Sequence, residues 1–159
     1  MNGFSRTQWH LIDETHTLRE DILAALTEGD LSVTPGGTNP PLRDLLVDLG
    51  RTERVYAASF RTGHFAIEAI PLDAGAAGSL DGLRTWFAGL DEDLKAAFAT
   101  LSDDDLAAFQ IDRGEGFLAP PVQQIFIYRE AVLIVAAKAS VYLRLIGRPL
   151  SDQMRAWIG

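Results

Sequence analysis

The chain has 159 residues, 47% of them hydrophobic and 23% charged, the make-up of a single soluble globular domain spanning 1–159. Its formal net charge is -8 and its 14 basic residues are scattered, which argues against nucleic acid as a partner, because phosphate binding is driven by clustered Lys and Arg. No apolar run approaches the ~20 residues of a bilayer span, the start MNGFSRTQWHLIDE lacks a targeting pattern, and the absence of cysteine excludes a disulfide frame, a thiolate metal site and a thiol nucleophile; a cytoplasmic protein without membrane contact is expected.

In chain order, Trp9, Ile12, Leu23 and Leu26, with Leu11, Leu18 and Ile22 beside them, recur at helical spacing and predict a first helix from about Phe4 to Glu28. His16 and Arg19 hold the middle of that seam, so both face a neighbour or a cavity. LSVTPGGTNPP (Leu31 to Pro41) is a loop by composition. Asn39 with Pro40 and Pro41 reads as the cap and first turn of a second helix reaching about Phe60. That helix buries Leu42, Leu45, Leu46, Leu49, Tyr56 and Phe60, while Asp48, Thr52 and Val55 run down one flank.

Gly63 to Gly78 is Ala- and Gly-rich and contains Pro71, which predicts a long flexible connection between the second and third helices. The third helix starts at a Ser79 cap and buries Leu80, Leu83, Phe87, Leu90, Leu94, Phe98 and Leu101, a bundle seam. Ser102 to Asp105 caps a short further turn, and Ile111 to Ala119 is a loop. A long fourth helix runs from Val122 to Leu150, opened by Pro120 and Pro121 and closed by Gly147 and Pro149. Its middle, Ala131 to Ala137, is apolar on every side and is expected inside the bundle. Ser151 to Ile158, carrying Met154, Trp157 and Ile158, is a last amphipathic piece that folds back or meets a second subunit. The fold class is therefore all-α, a four-helix bundle.

Three stretches, PLRDLLVDLGRTERVY (Pro41 to Tyr56), SLDGLRTWFAGLDEDLKAAFATLSDDDL (Ser79 to Leu106) and ASVYLRLIGRPL (Ala139 to Leu150), give the chain a likeness that covers most of its length. It resembles the DinB superfamily of four-helix bundles, which includes metal-dependent thiol transferases. The resemblance implies a divalent metal held by one His in the second helix and an HxxxH pair on the fourth, since residues at i and i+4 share a helix face. Matched on LRDLLVDLGRTER, the first ligand position is Asp48; matched on Gly147, the pair is Ala131 and Val135. None of the three is histidine, and one carboxylate is far short of a metal site, so no metal and no cofactor is expected.

Of the three histidines, His10 and His16 stand at a poor spacing for one metal and His64 lies in a loop. His16 can point into the bundle, most simply as a hydrogen-bonded histidine. Asp48 is either a carboxylate in an apolar cavity, with a raised pKa unless Arg19, Arg51 or His16 pairs with it, or an ordinary solvent-facing residue. Tyr128, one turn before Ala131, closes one end of any remaining cavity or serves as a core tyrosine. The candidate substrate-binding set is thus His16, Asp48, Thr52, Tyr128, Ala131 and Val135, with no metal ligand and no catalytic residue assigned. Two functions compete: a metal-free binding or interaction module for a small-molecule ligand, forming a homodimer as members of the superfamily often do, and a divergent transferase or hydrolase using a displaced site around Asp48 and His16, with Glu53 as a further acid or base.

Overall fold

The structure, a computed structural model, describes residues 2–67 and 78–159. The connection expected between Gly63 and Gly78 falls for the most part outside the described residues.

The predicted first helix is two helices. α1 spans Gly3–Thr7 and α2 spans His10–Ala25, with the bend at Gln8 and Trp9. The bend lets Phe4 and Trp9 both reach the Phe98 ring, at centroid distances of 5.1 and 5.7 Å, which one straight helix would not allow. Asn2 anchors this corner. Its Oδ1 accepts from the Ser5 amide, and its Nδ2 donates to the Phe98 and Leu101 carbonyls at 3.1 and 3.0 Å. One side chain thereby satisfies groups left open at the start of one helix and the end of another.

A 3-10 turn, Glu28–Ser32, leads through the Pro-rich loop to α3, Leu42–Thr62. Asn39 is not the cap: Pro41 holds that position, and the Asn39 amide instead donates to the Gly36 carbonyl and closes the loop. α4, Leu80–Ala99, begins at the expected Ser79, whose hydroxyl accepts from the Gly82 amide. Glu28 adds a carboxylate at the Leu80 amide, where helix N–H groups favour negative charge. α5, Asp103–Ala108, carries the capping box of Ser102 and Asp105. The segment read as a loop contains β1, Ile111–Asp112, and β2, Leu118–Ala119, a two-residue antiparallel ladder.

α6 spans Pro121–Leu145, ending one turn before the expected Leu150. Gly147 (φ 71°) turns the chain there, and the Arg148 amide returns to the Leu143 carbonyl, the hydrogen bond of a glycine-terminated helix. α7, Asp152–Ile158, capped by Ser151, folds back on α6 and buries Met154.

α2, α3, α4 and α6 form the bundle, with α3 packed on α4 and α6 and α2 packed on α6 and α4. Every residue expected on the α3 and α4 seams is buried. Gly50 on α3 makes room for Trp86 of α4: a β-carbon there would lie 2.4 Å from the Trp86 ring. The central helix differs from its reading as apolar on all sides and therefore enclosed. Val132 and Ala136 are buried, but Ile134 is 56% exposed, and Val141 and Leu145 lie on the same open face. A bundle corner has only two neighbouring helices, so one stripe of α6 is left uncovered. Among the described residues no helix is long and apolar enough to cross a membrane.

Candidate functional site

At the centre of the bundle each of the four long helices contributes ionisable or hydroxyl groups to one cluster. α2 provides His16 and Arg19, three residues apart and so on one face; α3 provides Glu53, α4 Asp91 and α6 Tyr128. Arg19, Glu53 and Tyr128 are almost wholly inaccessible, and only Asp91 is partly open, its side chain 23% exposed.

Arg19 is the clamp. Its Nη1 donates to Glu53 Oε2 at 2.8 Å and its Nη2 to Asp91 Oδ2 at 2.6 Å, while the guanidinium lies over the Phe87 ring at 4.2 Å. Each carboxylate thus gives one oxygen to Arg19 and keeps the other. Asp91 Oδ1 lies 2.8 Å from His16 Nδ1, and Glu53 Oε1 lies 4.0 Å from His16 Nε2 without a hydrogen-bond donor. His16 Nε2 and the Tyr128 hydroxyl are 2.8 Å apart. One atom from each of His16, Glu53 and Asp91 falls within 4.8 Å of the others, a grouping that could hold a cation.

The electrostatics push the two carboxyl groups in opposite directions. Burial raises Glu53 well above its ordinary value; Arg19 opposes this and the nearby Asp91 adds to it. Burial also pulls Asp91 upward, but His16 and Arg19 outweigh it and hold the group at about 2. For Arg19 the desolvation would lower the pKa, and the charges of Glu53 and Asp91 more than offset it. Tyr128 is raised well above 10, by burial first and by Glu53 second.

A second polar chain lies beside this cluster. Gln124 donates to Ser59 Oγ at 3.0 Å, and Ser59 Oγ in turn donates to the Tyr56 carbonyl. Arg113 donates to Gln124 Oε1 and stacks over Phe65 at 4.2 Å, tying the short ladder to the bundle.

The cluster has an outlet. A cleft of about 500 Å³ between α2 and α4 is lined by Arg19, Glu20, Leu23 and Ala24 on one side and by Arg84, Phe87, Ala88 and Asp91 on the other. Arg84 is already engaged with Asp81 and the Leu23 carbonyl. A smaller cleft of about 320 Å³ between α3 and α6 includes Leu45, Asp48, Lys138 and Tyr142.

Of the residues singled out from sequence, His16, Arg19, Glu53 and Tyr128 are brought together. Asp48 is elsewhere: it is exposed and lines the smaller cleft. Thr52 is half-buried and returns its hydroxyl to the Asp48 carbonyl at 2.8 Å. Ala131 and Val135 are half-buried on α6, with Val135 packed against the edge of the core. Arg19 pairs with Glu53 and Asp91 rather than with Asp48. Asp91 escaped the sequence reading because it stands first in an acidic run, Asp91, Glu92 and Asp93, beside the seam residue Leu90. Its one available signal was the helical spacing from Phe87, which sets it on the same face.

Comparison with known proteins follows this architecture. A DinB-like protein from Bacillus subtilis, known from its crystal structure, superposes with a TM-score of 0.70 over 91% of this chain and 94% of that one, at 15% identity, a likeness of fold. Among curated proteins no sequence match is found. The DinB superfamily profile matches residues 11–135, most of the bundle. The chain therefore belongs to the DinB superfamily.

Proposed function

We propose that this chain is a DinB-fold protein that has given up the three-histidine metal site and works as a small-molecule-binding module. The three positions that correspond to ligands do not fit a metal there. Ala131 and Val135 offer only hydrocarbon, and Asp48 faces solvent beside Lys138. The working part is instead the cleft between α2 and α4. One observation carries this reading: Asp91, the single partly open member of a buried charge cluster, stands in the wall of a cleft otherwise made largely of Leu23, Ala24, Phe87 and Ala88. Apolar walls with a few placed polar groups, at a volume of roughly 300–1,000 Å³, are what small-ligand sites share.

The cleft favours a ligand with an apolar body and a hydrogen-bond-donating, cationic end, because Glu20 and the partly open Asp91, whose oxygens are shared with Arg19 and His16, face it as carboxylates while both arginines are already committed. Thermal-shift measurements with small hydrophobic amines, matched neutral alcohols and matched acids test this. The amines should stabilise the protein, and Ala88→Trp, at an exposed position, should abolish the effect by filling the cleft. Equal stabilisation by all three classes, or an Ala88→Trp variant that responds as wild type does, would reject it.

A second reading, a transferase or hydrolase, draws support from the opposite pKa shifts of Glu53 and Asp91, since acid and base pairs are often made by such separation. It would rest on His16, Glu53 and Asp91. Asp48, in the other cleft, would have no part in it. Homodimer formation belongs to either reading. The open face of α6, with Ile134, Val141 and Leu145 at helical spacing, supports it as the surface that a second copy would cover.

A further inference from the structure

We propose that the centre of the bundle takes one divalent first-row cation between His16, Glu53 and Asp91, a place distinct from Asp48, Ala131 and Val135. The inference starts from how Arg19 divides the carboxylates. By taking Glu53 Oε2 and Asp91 Oδ2, it leaves Oε1 and Oδ1 as the carboxylate oxygens not engaged by the guanidinium, and both lie beside the His16 ring. Glu53 Oε1 is fully buried and accepts no well-formed hydrogen bond, although the Tyr128 hydroxyl is near enough to interact with the Glu53 carboxyl, so this oxygen is under-satisfied and a positive group there would be favoured.

The charge count agrees. Two carboxylates face a single guanidinium, so with a neutral His16 one negative charge is left over in a region that is mostly buried and open only at Asp91. A proton can supply the balance, and so can a metal ion. One ring nitrogen of His16 and one oxygen from each carboxylate lie within 4.8 Å of one another, Nδ1 being 2.8 Å from Asp91 Oδ1 and Nε2 4.0 Å from Glu53 Oε1. Metal–ligand distances of about 2.0–2.2 Å place donor atoms roughly 3–4 Å apart, so small side-chain shifts, a slight opening of the His16–Asp91 pair and an approach of Glu53, complete the site. With His16 Nδ1 as the ligand, Nε2–H is donated to the Tyr128 oxygen at 2.8 Å, the second contact that normally fixes a metal-bound imidazole. One nitrogen and two oxygens suit Mn²⁺, Fe²⁺, Co²⁺ or Zn²⁺ rather than a thiolate-seeking ion. The site shares Asp91 with the neighbouring cleft but rests on His16 and Glu53 as well, neither of which lines that cleft.

Co²⁺ is the probe of choice, because its visible absorption reports the coordination sphere without any assay of activity. Full-length protein, freed of affinity tag and treated with chelator, is titrated with Co²⁺ while absorption and released protons are recorded. One equivalent should bind with proton release, since the ligands must be deprotonated. Glu53→Gln and Asp91→Asn should each weaken binding by at least about tenfold, whereas Asp48→Asn should not change it. Asp91→Asn serves if Glu53→Gln does not fold, because Asp91 is partly open. Absence of a coordination band in wild-type protein at millimolar Co²⁺ overturns the proposal, as does binding indifferent to both substitutions or abolished by Asp48→Asn. Ala88→Trp separates the two ideas: it should block amines in the cleft and leave the Co²⁺ spectrum intact.

Discussion

Replacing Arg19 by methionine keeps most of the buried stem and removes the charge that two carboxylates share. The structure sets the scale. Two charge-assisted hydrogen bonds disappear, at 2.8 and 2.6 Å, each contributing about 1.5–3 kcal/mol. The guanidinium stacked over Phe87 at 4.2 Å contributes on the order of 1 kcal/mol more. Glu53 relieves part of the loss by taking a proton, which its burial already favours. The net expectation is about 3–5 kcal/mol near neutral pH, the usual range for orphaning a buried ion-pair partner, out of a total stability of roughly 5–15 kcal/mol. Because protonated Glu53 needs no counter-ion, the loss should be clearly smaller at about pH 5 than at about pH 8. Urea unfolding followed by far-UV circular dichroism at both pH values, in EDTA, measures it. A loss under about 1 kcal/mol at both, or the same loss at both, would refute the view of Arg19 as the clamp. In the same assay Arg19→Met with Glu53→Leu should recover most of the deficit, because a buried pair exchanged for hydrocarbon is commonly near neutral.

Further outcomes follow from single contacts. Gly50→Ala sets a methyl group against the Trp86 ring, 2.4 Å from its nearest carbon, and should lower stability by about 1–3 kcal/mol with a shift in tryptophan emission. Glu53, raised above its ordinary 4.5, contributes stability that is fully present below that value and lost as pH rises through the raised one. Wild-type protein in EDTA should therefore lose stability across that window, and Glu53→Gln, which stays neutral, should flatten the profile. Asp91 works in reverse: held at about 2, it contributes stability above its ordinary 3.8 that fades as pH falls toward 2, so Asp91→Asn should weaken the acid limb. Val141→Glu places a charge in the open stripe of α6 and should convert a dimer to monomer by light scattering, with little change in helicity. Monomeric wild-type protein at high concentration would remove that expectation.

Much of the architecture was legible because it depends on neighbours in the chain. The α3 and α4 seams and the Ser79 and Ser102 caps are local patterns of spacing and backbone geometry, and each appears where expected, while the turn at Gly147 ends the long helix one turn before the expected Leu150. The exceptions turn on distant partners. The first helix bends at Gln8 because Phe98, far along the chain, draws in both Phe4 and Trp9. Asn39 resembles a helix cap, yet its amide finds the Gly36 carbonyl first.

The candidate site shows the same division more sharply. His16 and Arg19 stood out as polar residues on an apolar seam, which marks a buried face from local spacing alone, and Tyr128 could be ranked the same way. Of their partners, Glu53 could be named only as a further acid or base and Asp91 not at all. Glu53 and Asp91 are ordinary helical acids in sequence, beside Asp48, Glu92 and Asp93, which equally well could have turned inward. Which acid is enclosed depends on how four helices rotate about their axes when packed, and that rotation is set by the summed burial of whole faces, not by any one residue's surroundings in the chain. Helix positions and lengths are thus properties of short stretches, while the meeting of one arginine with two carboxylates exists only once the bundle has closed around them.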